Sequence, residues 1–297
     1  MKYQLTHKTR YLYSQPVSYC RNEACLLPRD TVWQQCLSSR LEIEPTAVDL
    51  RERNDAFGNR LSHFAIQQTH KELLVTAISE VSIAAIDHSP MLTGEQLAWD
   101  AAAMRFPRET SMRTLEDLPY LYDSAFVKSS EQLADYARPT FQAGRPLIDA
   151  ATELMQRIYR DFAYDPESTT IATPLAEVLK NRRGVCQDFA HLAIGCLRSM
   201  GLAARYVSGY IETLPPPGQE RLVGADASHA WFSVYAADAG WIDFDPTNNK
   251  LLSDQHITVA WGRDFADVSP LRGVALGGGK HKVEVSVDVA RQPDDLN

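Results

Sequence analysis

Gly184-Val185-Cys186-Gln187-Asp188-Phe189-Ala190-His191-Leu192 and its continuation to Met200-Gly201 decide the fold of the second half of this chain. From Gln187 onward Phe189, Leu192, Ala193, Cys196, Leu197 and Met200 recur at helical spacing, and Gly201 supplies the left-handed stop. A cysteine therefore stands where an apolar helix begins. Unpaired N–H groups and the positive end of the helix dipole at that place favour thiolate over thiol and form a cradle for an oxyanion. Arg182 and Arg183 add positive potential just before it. Cys196, in mid-helix on the apolar face, is expected to be inert core.

Toward the C-terminus three strand-like runs follow, at residues 204–211, 228–235 and 241–245. A helix leading into an antiparallel meander is an α+β layout. In the second run His229, Trp231, Ser233 and Tyr235 share one face; in the third, Trp241, Asp243 and Asp245 alternate with Ile242 and Phe244. A hairpin centred on Ala237 pairs His229 directly with Asp245. A carboxylate on an imidazole fixes its tautomer and stabilises its charged form, leaving the other nitrogen for the cysteine. Asp243 shares the face and is the rival, because a bulge would shift the register. Trp231 and Trp241 either line an acyl site or cover the hairpin. The polar loop at residues 215–224 is placed to border a cleft.

Toward the N-terminus the character changes twice. Residues 1–88 carry short runs rich in Val, Ile, Leu, Thr and Tyr, separated by turn chemistry such as Asp55-Ala56-Phe57-Gly58-Asn59, which predicts an antiparallel sandwich. From about 91, Thr93-Gly94-Glu95-Gln96 and Ser129-Ser130-Glu131-Gln132 fit the capping-box pattern. Pro139 ends the second of these helices, and a longer amphipathic helix follows Pro146. The last alternating run, residues 282–289, is free to return to either sheet.

At 297 residues two domains are expected, and 44% hydrophobic with 23% charged residues is a globular balance. A net charge of −8 argues against nucleic acid or an anionic membrane as partner. The N-terminus lacks the apolar run of a secretory signal, and no window approaches the ~18 apolar residues of a membrane span. Five cysteines without close spacing are neither a disulfide framework nor a zinc site, which predicts a reducing, cytoplasmic setting. His256 and His281 have no ligand-spaced partners, so no metal or other cofactor is expected.

Taken together, Arg182 to Leu192, Ala204-Arg205-Tyr206-Val207-Ser208-Gly209-Tyr210, Ser228-His229-Ala230-Trp231, Gly240-Trp241 and Asp245-Pro246-Thr247 resemble the transglutaminase-like superfamily. His256-Ile257-Thr258-Val259-Ala260 and Gly262-Arg263-Asp264 resemble its bacterial branch. The resemblance implies a papain-like core at residues 146–270. An N-terminal β-sandwich (1–88) and a helical connecting segment (89–145) would precede it, and a C-terminal strand or tail (271–297) would follow. It implies Cys186 as nucleophile, His229 as general base and then acid, and Asp245 as orienter, which leaves Asp243 a solvated strand residue. Members include crosslinking transglutaminases, proteases and peptide-processing enzymes, and some have lost the triad and only bind. Two positions depart from the pattern: Gln187 follows the nucleophile where animal crosslinking enzymes have tryptophan, and Ser233 replaces a frequent glutamate. The expected activity is hydrolysis of a peptide or isopeptide bond in a peptide or protein substrate, through a thioester. Acyl transfer to a primary amine is the alternative, and a non-catalytic binding or assembly module is the rival class.

Overall fold

Alternating sequence in the first 88 residues makes strands, and the computed structural model, which describes residues 1–89, 96–105, 116–213, 228–237 and 239–292, shows how they join. Strand β1 (Lys2–Ala24) is the centre of a seven-stranded antiparallel sheet. Its first half pairs with β5 (His70–Ile83) on one side and β14 (His281–Gln292) on the other. Its second half pairs with β4 (Arg60–Ile66) and β13 (Leu271–Gly277). Outside these, β2 (Gln34–Glu44) lies on β5 and β3 (Asp49–Asn54) lies on β4.

Every line of this sheet breaks at a similar level: near Pro16 in β1, at Pro45 between β2 and β3, at residues 67–69, and at Gly278 and Gly279. Proline cannot donate to a ladder, and these two glycines have positive φ, so the sheet curls there instead of running straight. The antiparallel β domain is thus one curled sheet in place of two stacked ones. One half encloses its own core around Leu27, Phe64, Ile66, Leu73 and Val75. The other half, through Tyr3, Leu5, Val81, Ile83, Val287 and Val289, joins the main core. The C-terminal run returns to this sheet.

The helices are α1 (Trp99–Arg105), α2 (Glu131–Ala137), α3 (Leu147–Asp161), α4 (Leu175–Asn181) and α5 (Cys186–Ser199). Ser130 caps α2 by accepting from Leu133 N–H at 3.3 Å, one residue later than the expected box, and Arg138 closes it before Pro139. Residues 93–95 and the loop at 215–224 lie outside the described residues. The short parallel pair β6 (Ala163–Tyr164) and β7 (Arg183–Gly184) fixes the chain just before α5.

Helix α5 is buried on nearly all sides, its polar Asp188, His191 and Arg198 included, each with hydrogen-bond partners. It packs on an antiparallel sheet of order β11-β10-β9-β8-β12, formed by β8 (Ala204–Ile211), β9 (Ser228–Ala236), β10 (Gly240–Asp245), β11 (Lys250–Leu251) and β12 (His256–Gly262). Arg198 of α5 is buried too, and its guanidinium donates to Tyr120 O, Ser124 Oγ, Ala204 O and Arg263 O. That one side chain ties the helical segment to the core. Among the described residues no helix is long and apolar enough to cross a membrane.

Gly209 lies mid-strand in β8, pairing His229 on one side and Thr258 on the other. A Cβ there would stand 2.1 Å from Ile257 O and 2.6 Å from the Trp231 ring. Overpacking of this kind costs about 1–3 kcal/mol or more. Gly209→Ala is therefore expected to lower the urea midpoint clearly; an unchanged midpoint would show that the sheet absorbs the methyl group.

Candidate active site

The start of α5 is built by its own first turn. Asp188 is buried, and its Oδ2 accepts from Val185 N–H at 2.9 Å and Thr169 Oγ at 2.6 Å. This satisfies one of the donors a helix leaves unpaired. A Cβ at Gly184 would lie 2.7 Å from the same oxygen, so the residue before Val185 must be small. Cys186 follows, half-buried. The other thiols are poor rivals. Burial pushes Cys25 and Cys196 up to about 12. Cys20 has an imidazole nearby, His70 Nε2 at 3.9 Å, but burial pushes this thiol up as well.

His229 and Asp245 meet, though not by the expected register. Ala236 pairs with Gly240 and Phe232 with Phe244, so the hairpin is centred beyond Ala237 and Asp245 falls diagonal to His229. Gly240, with φ at +75°, permits the turn that sets this register. A two-residue shift keeps every side chain on its face, and diagonal neighbours still touch. His229 Nε2 lies 2.8 Å from Asp245 Oδ2. Cys186 is the imidazole's other charged neighbour and raises it together with Asp245, and with Nε2 on the carboxylate the nitrogen left for sulfur is Nδ1.

Asp245 is the hub. Its Oδ2 also accepts from Asn248 Nδ2 at 2.7 Å and from His256 Nε2 at 3.2 Å, while Oδ1 accepts from Thr247 N–H and Asn248 N–H. Ser253 N–H donates to His256 Nδ1 at 3.2 Å, which leaves the His256 proton on Nε2, facing the carboxylate. Burial alone would push the Asp245 carboxyl up. Hydrogen bonds from His229 and His256, the His229 charge and Asn248 outweigh it and hold the group well below the ordinary carboxylate range. For His229, burial acts downward, and the bonds and charges of Asp245 and Cys186 overcome it, raising the imidazole to about 10.

His256 corrects the expectation that it has no partner. No sequence spacing announces it; the nearest signal is Gly209, a glycine inside a strand, which marks close approach. Trp231 fills the space above Gly209, and His256 packs edge-on against that ring at 5.4 Å between centroids. The ligating atoms of His229, Asp245 and His256 lie within 4.8 Å of one another, the spacing of a metal site. Here, however, both Nε2 atoms face the carboxylate, and Asp245 Oδ2 accepts from each.

The remaining expected residues fall elsewhere. Trp231 is fully buried behind the site, with Nε1 donating to Asp243 at 3.1 Å. Asp243 is not solvated: it is buried and also accepts from Ser233 Oγ, which gives the unusual serine its role. Trp241 packs on Tyr120 and lines a large cavity whose walls do not include Cys186. His191 accepts from Phe265 N–H at 3.1 Å and stacks on Phe126, away from the sulfur.

Known proteins share this construction. Residues 3–82 match the bacterial transglutaminase-like N-terminal region, and residues 134–246 match the transglutaminase-like superfamily. An uncharacterized protein of Mycobacterium tuberculosis is 40% identical over 294 residues, covering 97% of this chain and 92% of that protein. The protein-glutamine gamma-glutamyltransferase of Pseudomonas aeruginosa is 31% identical over 123 residues, 39% of this chain and 17% of that protein. A Cytophaga hutchinsonii structure provisionally described as a cysteine protease superposes with a TM-score of 0.77. It covers 100% of this chain and 92% of that chain at 22% identity, a likeness of fold.

The shifts of the pair predict a pH window. Asp245, depressed from 3.8, contributes stability that is present above that value and lost as pH falls. His229, raised from 6.5 to about 10, contributes stability that is complete below 6.5 and lost between 6.5 and about 10. The stability difference between wild type and Asp245→Asn is therefore expected to peak between about pH 4 and 6.5 in urea titrations. A difference that stays flat from pH 4 to 10 would contradict the pairing.

Proposed function

Because the chain belongs to the transglutaminase-like superfamily and carries its bacterial N-terminal region, we propose that it breaks amide bonds of peptides or proteins through a thioester on Cys186. The observation that carries this reading is His229, raised by the thiol at the start of α5 beside it and hydrogen-bonded to a carboxylate held charged. In this reading the Cys186 proton resides on His229 Nδ1. The sulfur attacks the amide carbon, the C–S bond forms, and the carbonyl electrons move to oxygen, which the N–H groups of the first turn of α5 stabilise. Collapse breaks the C–N bond as the Nδ1 proton passes to the departing nitrogen. Water then gives a proton to Nδ1, its oxygen attacks the thioester, and C–S cleavage releases the acid.

Water is favoured as the second nucleophile by Gln187, which replaces the tryptophan of the animal crosslinking enzymes. Transfer to a primary amine is the second reading, supported by the relative named protein-glutamine gamma-glutamyltransferase. His256 is a positioning residue in either case, because it reaches the chemistry only through Asp245.

Iodoacetamide labelling from pH 4 to 9, mapped by mass spectrometry, tests the nucleophile. Cys186 is expected to label fastest, to stay reactive below pH 7, and to slow at least about ten-fold in His229→Ala. Labelling no faster than that of half-exposed Cys36 would sink the catalytic reading. Casein digestion with and without monodansylcadaverine then separates new N-termini from dye incorporation. His256→Ala is expected to lower kcat about ten- to a hundred-fold with little change in KM, since small displacements of a catalytic base are costly. His256→Gln, which keeps a donor, should recover part of the loss; equal loss in both would leave His256 a packing residue only.

A further inference from the structure

A cavity of about 850 Å³ lies between the curled sheet, the helical segment and the core sheet, separate from Cys186. Its size is that of a small-molecule site. Trp241, Trp261, Phe57 and Tyr120 supply aromatic walls, and two arginines converge on them. The Arg29 guanidinium carbon sits 3.2 Å from the centre of the Trp261 ring; that of Arg205 is 3.9 Å from Trp261 and 4.5 Å from Trp241. Arg205 is 7% exposed, and its buried Nε has no acceptor. Among the described residues its side chain makes no hydrogen bond, and Arg29 Nε is also unpaired although Arg29 Nη1 donates to Phe57 O and Asn59 Oδ1.

Carboxylates are present in the lining, so the sign of the ligand must be argued. Asp55 accepts from Phe57 N–H, Asn59 N–H and Asn59 Nδ2. Asp117 accepts from Trp241 Nε1, and Asp243 from Trp231 and Ser233. Glu116 is exposed at the surface. The acids of the wall are thus hydrogen-bonded within the protein, whereas the Arg205 guanidinium is not and Arg29 is held only through Nη1, by Phe57 O and Asn59 Oδ1. A buried charged donor without an acceptor is destabilising, and an acceptor entering the cavity relieves it.

We propose that this cavity binds a small aromatic carboxylate, its ring between the aromatic walls and its carboxyl group on Arg205 and Arg29. A planar guanidinium already stacked on an indole presents its N–H groups in the plane, where a carboxylate accepts two at once. Asp243 lines the cavity floor and holds Trp231, the ring against which His256 packs, so the site adjoins the active centre through buried side chains. It does not depend on the amide-cleaving reading.

Isothermal titration with 2-naphthoate and its uncharged counterpart 2-naphthamide tests the proposal. The carboxylate is expected to bind the wild-type chain at least ten-fold tighter than the amide, equally well in Cys186→Ala, and to lose that preference in Arg205→Gln. Should Arg205→Gln fail to fold, Ala56→Glu at the exposed rim decides: naphthoate affinity is expected to fall at least three-fold with naphthamide unchanged. No binding of naphthoate at millimolar concentration, equal binding of the two probes, a preference that survives Arg205→Gln, or an equal loss for both probes in Ala56→Glu overturns it.

Discussion

The outer edge of β12 governs the arrangement of the whole molecule. This strand pairs with β8 on one side only, and buried backbone groups on the other side would cost about 1–3 kcal/mol each if left unpaired. Two side-chain amides from the first domain take the place of a neighbouring strand. Gln34 donates to Thr258 O at 2.7 Å and accepts from Thr258 N–H at 2.8 Å. Asn59 donates to Trp261 O at 2.7 Å and accepts from Trp261 N–H at 2.9 Å. Both amides are fully or almost fully buried, so the edge is closed to further strands as well as to water.

Much follows from that seal. Asn59 is held by Asp55 and Arg29, so the turn at residues 55–59 docks with its aromatic Phe57 against Tyr120. Trp261 becomes a cavity wall because the backbone on which it stands cannot move. At the other end of the same strand, His256 is fixed against Trp231 and Asp245. The first domain therefore contributes no group to the cluster of His229, Asp245 and His256, yet it fixes the strand that carries His256.

Within the site, the physics is that of a buried charge made tolerable by donors. A carboxylate taken out of water is costly unless its lone pairs are filled. Asp245 meets this with two imidazoles, one side-chain amide and two backbone N–H groups. The Asp-Pro-Thr-Asn turn supplies three of these donors from adjacent residues, which is why the carboxylate stands at a strand end and not in mid-strand. A second buried acid, Asp243, sits on the same face; there burial outweighs the bonds from Ser233 and Trp231, and the carboxyl is pushed up.

Local chemistry was legible in the sequence wherever it depended on neighbours along the chain. The helix opening at Cys186, the Gly201 stop, the alternation of β8, β9 and β10, and the α+β order could be read because period and capping are local properties. Even an error of two in the hairpin register left His229 and Asp245 on one face, since parity alone fixes the face of a strand. What the sequence could not yield were contacts between residues distant along the chain. His256 reaches Asp245 only because β12 lies beside β8 in the sheet and Gly209 leaves room above the strand. The two domains also meet where Gln34 and Asn59 find an unpaired edge, and Arg29 reaches the Trp261 ring only after that closure. The sequence by itself determined the elements and which faces His229 and Asp245 share; the tertiary structure alone decided which buried donors and acceptors would find each other, because pairing depends on distance in space and not on spacing along the chain.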